Sequence, residues 1–200
     1  CALPISGVID TNGVIDGSLA ERTSRVVADG RTFSYVLHEV GGNRIAITQN
    51  DVRAIQLAKA ALRAGIDLLV EHAGGPEITD VRLAGAFGAH IDPLRALVLG
   101  LVPDCPVDRV RSVGNAAGTG AVQALLSRGM RAELEDAANE IVKIETATEP
   151  RFQELFVAAM GVPHTTDPTP NLAASVTLPT PSTAGPAAGR TRRRSRGVPA

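Results

Sequence analysis

Aromatic residues are scarce in this chain of 200 residues: they make up 2% of it, with four phenylalanines, one tyrosine and no tryptophan. Hydrophobic residues nevertheless reach 44% and charged residues 20%, as is ordinary for a globular protein. The apolar core must therefore be built from alanine, valine, leucine and isoleucine, which suits close-packed helices and buried parallel strands. This length suits one domain, or one domain with a tail.

Cysteine and histidine are also few, which excludes several classes of site. Cys1 and Cys105 cannot form a disulfide framework or supply the four thiolates of an iron–sulfur cluster. The histidines are scattered without the spacing of metal ligands, so we expect no metal site: they are His38, His72, His90 and His164. This composition favours a cytoplasmic chain.

No apolar run approaches the roughly 18 residues that a membrane span requires, so we expect no membrane partner. No signal-peptide pattern is recognisable at the amino terminus. The first residue is Cys1 rather than methionine, and we therefore expect the sequence to begin partway through a longer protein.

Charge is unevenly distributed along the chain, whose net charge is −1. Residues 164–200 contain one aspartate and five arginines, which gives this segment +4 and leaves −5 for the rest. A mildly acidic body does not favour nucleic-acid binding. The segment is rich in Pro, Thr, Ser and Ala, so we predict a disordered tail. Its arginines either stay solvated or contact an acidic partner: Arg190, Arg192, Arg193, Arg194 and Arg196.

The first quarter of the chain contains turns and a predicted β-hairpin. Asp10-Thr11-Asn12-Gly13 is typical of a turn, although a phosphate-binding hairpin can also be written with Asp, Gly and Thr. Alternation predicts a strand over 32–40 and, after the turn at 41–43, a return strand over 44–48. Ile45 and Ile47 are expected to face inward.

A long helix is predicted to follow the hairpin. Thr48 can cap its free N–H groups, Asp51 suits the positive end of its dipole, and Gly74-Gly75-Pro76 ends it. Helical spacing predicts a buried apolar stripe that consists of Val52, Ile55, Leu62 and Ile66. A second face carries three polar residues at positions i, i+3 and i+7, namely Gln56, Lys59 and Arg63.

Two strand–loop–helix units follow, which predicts an α/β fold with a mixed sheet whose parallel strands are covered by helices. The first has a strand over 78–83, a loop over 84–88 and a helix over 94–99 with Pro93 in its first turn. The second has a strand over 107–113 and a helix over 116–126 that Asn115 can cap. Further helices are predicted over 130–142 and 150–159. Ligands of such sheets bind at the carboxyl ends of the strands, where both glycine-containing loops lie.

These two loops are the candidate ligand sites. Gly85 and Gly88 let the backbone approach a flat ring or a sugar, and a tight strand-to-helix turn without a ligand is an equally good interpretation. Residues 114–121 contain three glycines, but their order does not match a dinucleotide fingerprint. We favour close packing of this second helix at a hinge over direct contact with a phosphate. No nucleophile–base pair is recognisable, so the catalytic residues are unknown.

The order of several short motifs is specific, although each motif alone is weak. They are Ile47-Thr48-Gln49-Asn50-Asp51-Val52, Gln56-Leu57-Ala58-Lys59-Ala60-Ala61, Leu83-Ala84-Gly85-Ala86-Phe87-Gly88, Gly100-Leu101-Val102-Pro103-Asp104, Val113-Gly114-Asn115-Ala116-Ala117-Gly118-Thr119-Gly120-Ala121 and Arg151-Phe152-Gln153-Glu154-Leu155-Phe156. This series, over about residues 7–163, resembles the C-terminal domain of the reductive activators of corrinoid proteins. That family is similar to acetate kinase, sugar kinases, heat-shock chaperone ATPases and actin.

The resemblance implies an actin-like ATPase lobe over 33–163, with a turn region from the preceding lobe over 1–32 and the tail over 164–200. Members of the family use ATP to drive reduction of an oxidised corrinoid cobalt, with the electron delivered by an N-terminal [2Fe–2S] domain. The implied cofactor is ATP with Mg²⁺, the implied partner is a corrinoid protein of a methyl-transfer system, and a homodimer is compatible. The residues implied to contact the nucleotide are Gly85, Ala86 and Gly88 of the adenosine motif, Gln56, Lys59 and Arg63 beside the adenine, and Gly114 and Asn115 at the interdomain hinge.

Parts of the family's pattern are missing from this sequence. The [2Fe–2S] domain is absent, and the two phosphate motifs and the first connecting helix are not found. We therefore expect a partial lobe that neither hydrolyses ATP competently nor transfers electrons on its own. A non-catalytic interaction module of the same fold and a small-molecule kinase of the same superfamily remain alternatives. An upstream acidic catalytic base would favour the kinase.

Overall fold

The structure is a computed structural model that describes residues 1–146 and 148–179. Its strands are β1 (Val26–Asp29), β2 (Thr32–Val40), β3 (Asn43–Thr48), β4 (Val81–Ala84) and β5 (Val110–Gly114). Its α-helices are α1 (Ala2–Ile5), α2 (Gln49–His72), α3 (Gly85–Gly88), α4 (Pro93–Leu99), α5 (Ala116–Leu126), α6 (Arg128–Glu140), α7 (Phe152–Ala158) and α8 (Pro170–Ser175). Short 3₁₀ helices cover Gly17–Glu21 and Val107–Arg109. The predicted α/β class is confirmed, but the described strands form two separate sheets, one antiparallel and one parallel, instead of the predicted mixed sheet.

β1, β2 and β3 form an antiparallel sheet in that order. The predicted hairpin is confirmed, with Val40 opposite Asn43. β1 pairs with the other edge of β2, and its four residues are too few to give a clear alternating pattern. The expectation that Ile45 faces inward is wrong, because residues 37–45 are all exposed at the tip of the hairpin, beyond the elements that pack on the sheet.

α2 begins with the predicted capping arrangement. Thr48 Oγ1 accepts a hydrogen bond from Asp51 N at 3.1 Å, and the Asp51 carboxylate accepts one from Thr48 N at 2.8 Å. These bonds hold the pKa of Asp51 below its usual range. The predicted apolar stripe is only partly right, because Ile55 and Leu62 are exposed. The buried residues of α2 are instead Val52, Gln56, Lys59, Ala60, Arg63, Ala64 and Leu68.

The close approach of α7 explains which face of α2 is buried. α7 packs against α2, and Ala60 and Ala64 have no exposed surface. Alanine has no side-chain atoms beyond Cβ, so these two positions admit a neighbouring segment close to the backbone. The polar side chains of the same face must then find hydrogen-bond partners inside the protein.

β4 and β5 form a parallel pair, with Ala84 opposite Gly114 at the carboxyl ends. Both strands are shorter than predicted, because residues 78–80 are irregular and the segment after Pro106 begins with a 3₁₀ turn. The Asp80 carboxylate accepts a hydrogen bond of 2.5 Å from Arg111, which joins the loop before β4 to β5. α4 begins as predicted with Pro93 in its first turn.

α5 and α6 pack against each other, and neither has a buried residue. Leu125 and Leu126 of α5 are 78% and 79% exposed. The expected close packing of the glycine-rich start of α5 on another helix is not found within the described part of the chain. A Cβ built at Gly120 meets no atom within 4 Å.

The apolar core is divided into two clusters. One is formed by Val8, Ile9, Ile15, Val26 and Val52. The other is formed by Ala96, Leu97, Val98, Val102, Cys105, Val110 and Leu172. We call residues 8–15, β1–β3, α2 and α7 the antiparallel half of the domain, and β4, β5, α4 and residues 100–105 its parallel half.

The disorder predicted from residue 164 onward does not extend over residues 164–179. α8 lies in this segment, and Leu172 is buried in the core of the parallel half. The Asp104 carboxylate caps α8 by accepting from Asn171 N and Leu172 N at 2.8 and 3.0 Å. Composition alone does not reveal a cap supplied from so far along the chain. Residues 180–200, with all five arginines, lie outside the described residues, and the domain boundaries at 32 and 163 stay a prediction.

Candidate functional site

The two predicted ligand loops meet at one edge of the parallel sheet. Gly85 directly follows β4, and Gly114 is the last residue of β5. Their φ angles are +86° and +64°. A side chain at either position would be strained, and a Cβ built there meets no atom of the described part of the chain within 4 Å. The structure therefore leaves open space above both backbones, as the close approach of a ligand would require.

The predicted tight loop after β4 is the single helical turn α3. Gly88 ends this turn, and a Cβ built at Gly88 would lie 2.8 Å from the carbonyl carbon of Leu83. Glycine at 88 therefore lets α3 fold back against β4, whereas glycine at 85 faces open space. Ala86 lies within α3, between the two glycines.

Asn115 is the N-cap of α5, as predicted. Its Oδ1 accepts a hydrogen bond of 2.9 Å from Gly118 N. A shallow depression of about 390 Å³ is lined by Asn115, Gly118, Thr119, Val122 and Gln123. The positive end of the α5 dipole thus lies beside Gly114 at the sheet edge.

The polar residues of α2 are placed quite differently. Gln56, Lys59 and Arg63 are 3%, 2% and 2% exposed. Gln56 Nε2 donates to the carbonyl oxygens of Asn12 and Met160, each at 2.9 Å. This single amide therefore joins α2 to an early turn and to the segment after α7.

Lys59 is the largest fully buried side chain among the described residues. Its ammonium donates to the carbonyl oxygens of Gly161 and, at 2.7 Å, Pro163. Burial, and to a smaller extent the neighbouring Arg63 charge, lowers the pKa of Lys59 from 10.5 to about 8. The amine is therefore still mostly protonated at neutral pH, and its bonds to the two carbonyls are charge-assisted.

Arg63 uses its guanidinium to connect three parts of the chain. It donates to Asp67 at 2.7 Å within α2, to the Val102 carbonyl oxygen at 3.2 Å, and to Asp167. The hydrogen bonds of all three side chains, Gln56, Lys59 and Arg63, are thus donated to other groups of the protein. Their predicted contact with an adenine stays a prediction, and such contact would require these internal bonds to be exchanged.

The turn at residues 10–13 is confirmed as a turn. Asp10 accepts hydrogen bonds from Asn12 N and Val14 N at 2.9 and 2.8 Å. Gln49 of α2 then fixes the turn, because its side-chain amide accepts from Ile15 N and donates to Gly13 O at 2.9 and 2.7 Å. No phosphate-binding geometry is needed to explain this segment.

A large cavity that sequence reasoning missed lies beside this turn. Its volume is about 1010 Å³, and its charged and aromatic lining residues are Asp10, Asp16, Arg31, Phe33 and Arg53. It is assembled from the turn, the start of β2, the start of α2 and residues 157–165. No local motif could have revealed it, because its walls come together only through tertiary contacts.

His164 is a second feature that the sequence did not reveal. Its Nδ1 accepts from Asp167 N at 2.9 Å. Its Nε2 is buried, lies 3.9 Å from Asp67 Oδ2, and has no hydrogen-bond partner among the described residues. Burial, and next the Arg63 charge, lowers the pKa of His164.

Residues 1–146 and 148–179 contain neither a metal-binding cluster nor a membrane-spanning helix. No group of three or more His, Cys, Asp or Glu side chains is arranged to hold a metal ion there. None of the helices in that part of the chain is both long and apolar enough to cross a membrane.

Comparison with known proteins identifies the fold family. One family model matches residues 2–173, and it describes the C-terminal domain of RACo, the ASKHA domain. The chain belongs to this family. The resemblance inferred from the motif series and the actin-like fold are both confirmed.

Two relatives of this ASKHA domain are informative. The corrinoid activation enzyme RamQ of Eubacterium limosum is 44% identical over 118 residues, which are 58% of this chain and 20% of RamQ. A solved reductive activator for corrinoid, iron-sulfur protein has a TM-score of 0.67 and 31% identity, covering 82% of this chain and 27% of that one. The chain therefore spans well under a third of the length of either relative.

Proposed function

We propose that this domain is the nucleotide-binding lobe of an ATP-dependent reductive activator of a corrinoid protein. The observation that carries the proposal is the sheet edge where Gly85 and Gly114 meet, in a chain of the ASKHA family. Ligands of parallel sheets bind beyond the carboxyl ends of the strands, and glycine there leaves room for a base or a sugar. The names of both relatives, a corrinoid activation enzyme and a reductive activator, support the reaction class.

The residues predicted to contact the nucleotide fit that role unequally. Gly85 and Gly114 face open space, and the α5 N-terminus capped by Asn115 offers N–H groups and a positive dipole to a phosphate. Lys59, with its partners on α2, is buried and bonded to protein carbonyls. We therefore assign nucleotide contact to the sheet edge, with Gly85, Ala86 and Gly88 beside the adenosine.

ATP bound with Mg²⁺ would supply the free energy for reducing the corrinoid cobalt, while the electron comes from a [2Fe–2S] domain elsewhere in the complete protein. Within this domain the sheet edge binds and orients the nucleotide. The exposed face of α5, with Leu125 and Leu126, is then covered by another part of the activator. In RamQ the part outside the matched segment is large, because the segment that this chain matches makes up 20% of RamQ.

We further propose that the partner is a corrinoid protein of a methyl-transfer system, as the family resemblance implies. The protein acts in the cytoplasm, where thiols such as Cys105 stay reduced. A homodimer is compatible with this role, and the sedimentation of the complete protein would report it.

Two assays on the complete protein that carries this domain test the proposed function. Isothermal titration with ATP is expected to show binding. Absorbance of the corrinoid partner, with a reduced iron–sulfur donor present, is expected to show Co(I) only when ATP is added. ATP binding with phosphorylation of a small molecule, and no Co(I), would instead favour the kinase. Absence of nucleotide binding would favour a non-catalytic module.

A further inference from the structure

Residues 160–172 run between the two halves of the domain, and we call this segment the strap. Each half has its own apolar core, and none of the buried residues that the structure describes belongs to both clusters. α1 also touches both cores, because Leu3 packs on the antiparallel half and Ile5 on the parallel half. α1 is only one turn long, so the strap is the more extensive connection.

The antiparallel half holds the first part of the strap through the polar face of α2. Gln56 donates to Met160 O, and Lys59 donates to the carbonyl oxygens of Gly161 and Pro163. The strap also donates a backbone hydrogen bond to the antiparallel half, from Val162 N to Thr11 O at 2.8 Å. Carbonyls that would otherwise be buried without partners are satisfied in this way.

The parallel half holds the strap at two places. The carbonyl oxygen of Pro163 lies against Gly100, so closely that a Cβ at Gly100 would overlap it. Farther along, Asp104 accepts hydrogen bonds from Asn171 N and Leu172 N. The Leu172 side chain then enters the core of this half.

Arg63 of α2 contacts both the parallel half and the strap. Its guanidinium donates to Val102 O of the parallel half and pairs with Asp167 of the strap. The Arg63 side chain is 3% exposed and that of Asp167 is 46% exposed, so only the arginine is shielded from solvent. One residue of the antiparallel half thus contacts the other half and the strap together.

We propose that the strap couples the unfolding of the two halves of the domain, and that the hydrogen bonds of Lys59 contribute most to its attachment to α2. Without the ammonium, the carbonyl oxygens of Gly161 and Pro163 would be buried without this donor, and such unpaired groups would favour release of the strap. Lys59 and Arg63 are then positioning residues, which set how the halves move relative to each other. Release would also open the cavity of about 1010 Å³, because Met160, Gly161, Val162 and Thr165 form part of its wall.

Native-state hydrogen exchange at increasing denaturant tests the coupling without any nucleotide. In the parent chain, the slowest amides of β2 and of α4 are expected to open together. In Lys59→Met, which keeps most of the length of the side chain and removes its donors, amides of α4 and α8 are expected to exchange about tenfold or more faster than those of β2. The matched control is Lys143→Met at a side chain that is 80% exposed, and it is expected to behave as the parent.

Two results would overturn the proposal. They are separate opening of the halves in the parent, and joint opening in Lys59→Met, whether or not the halves separate in Leu3→Ala. If Lys59→Met does not fold, Asp104→Ala replaces it, because it releases the strap from the parallel half. Separate opening of the halves in Asp104→Ala supports the strap, and joint opening refutes it.

Discussion

The sheet edge at Gly85 and Gly114 and the polar face of α2 differ in what surrounds them. Both were predicted to face a nucleotide. At the edge, a Cβ built on either glycine meets no atom of the described residues within 4 Å. On α2, Lys59 is 2% exposed and donates to two carbonyls. A polar helix face with suitable side chains therefore need not face a ligand, because backbone carbonyls of the protein can accept its hydrogen bonds.

Burial explains why α2 holds polar residues there. An irregular segment that crosses between two elements exposes carbonyls that no regular hydrogen-bond ladder satisfies. Gln56 and Lys59 reach those carbonyls from α2, whose alanines allow close approach, and Arg63 pairs with Asp167 of the same segment. Leaving such groups unpaired costs roughly 1–3 kcal/mol each, so the helix and the strap depend on each other.

The largest expected effect is at the contact between the strap and α4. In Gly100→Ala, the new methyl group would overlap the Pro163 carbonyl, and alanine at φ of +67° is strained. We expect a loss of about 3 kcal/mol or more in the free energy of unfolding, from overpacking and left-handed strain together. Urea denaturation followed by circular dichroism measures it.

Gly75→Ala is the matched control for this change. Gly75 has φ of +71° and no neighbour within 4 Å of an added Cβ, so the substitution costs only the strain of about 1–2 kcal/mol. Equal losses in Gly100→Ala and Gly75→Ala would show that the strap does not press on α4.

The next effect is the pH dependence that Lys59 confers. Its pKa is about 8 when folded and 10.5 when unfolded. Between these values the unfolded chain holds a proton that the folded chain has lost, so the free energy of unfolding rises with pH. The rise should reach about 3 kcal/mol between pH 8 and 10.5.

Lys59→Met should lack this rise, whereas Lys143→Met should keep it. Denaturant titrations at several pH values measure the slope for each variant. Parallel profiles for the two variants would contradict a buried, titrating Lys59.

A smaller effect is expected at His164, in the same strap. Its folded pKa is below 6.5 because of burial and the Arg63 charge, and the facing groups Asp67, Asp167 and Lys59 are also close. As pH falls below 6.5, the unfolded chain takes up a proton that the folded chain resists. The free energy of unfolding should therefore fall, and it should fall less in His164→Asn, which keeps an acceptor for Asp167 N.

His90→Asn is the control for this prediction, because His90 is exposed between α3 and α4. The acid slope of His164→Asn is expected to be shallower than that of His90→Asn. An acid slope in His164→Asn as steep as that of the parent would mean that His164 does not titrate during unfolding.

Local signals predicted the elements whose ends are fixed by their own residues. Thr48 and Asp51 form the cap of α2, Pro93 starts α4, and Asn115 caps α5. The pairing of β4 with β5 followed from the order of strands and helices. These features depend on neighbours a few residues apart, which sequence patterns contain.

Features made by distant residues could not be predicted. The apolar spacing of Ile55 and Leu62 suggested the wrong buried face, because the strap that buries Lys59 lies about a hundred positions away in sequence. α8 was missed for the same reason, since Asp104 supplies its cap. A usable signal did exist in Ala60 and Ala64, which share a face with Gln56 and Lys59 and indicate close approach of another segment.

Nucleotide affinity at the sheet edge tests the central claim most directly. Gly85→Leu and Gly75→Leu place the same side chain at similar φ, +86° and +71°, with no atom within 4 Å of Cβ in either case. Titration of ATP into the complete protein should show about tenfold or more weaker binding for Gly85→Leu only. Equal affinity in both variants would contradict nucleotide binding at the edge formed by Gly85 and Gly114.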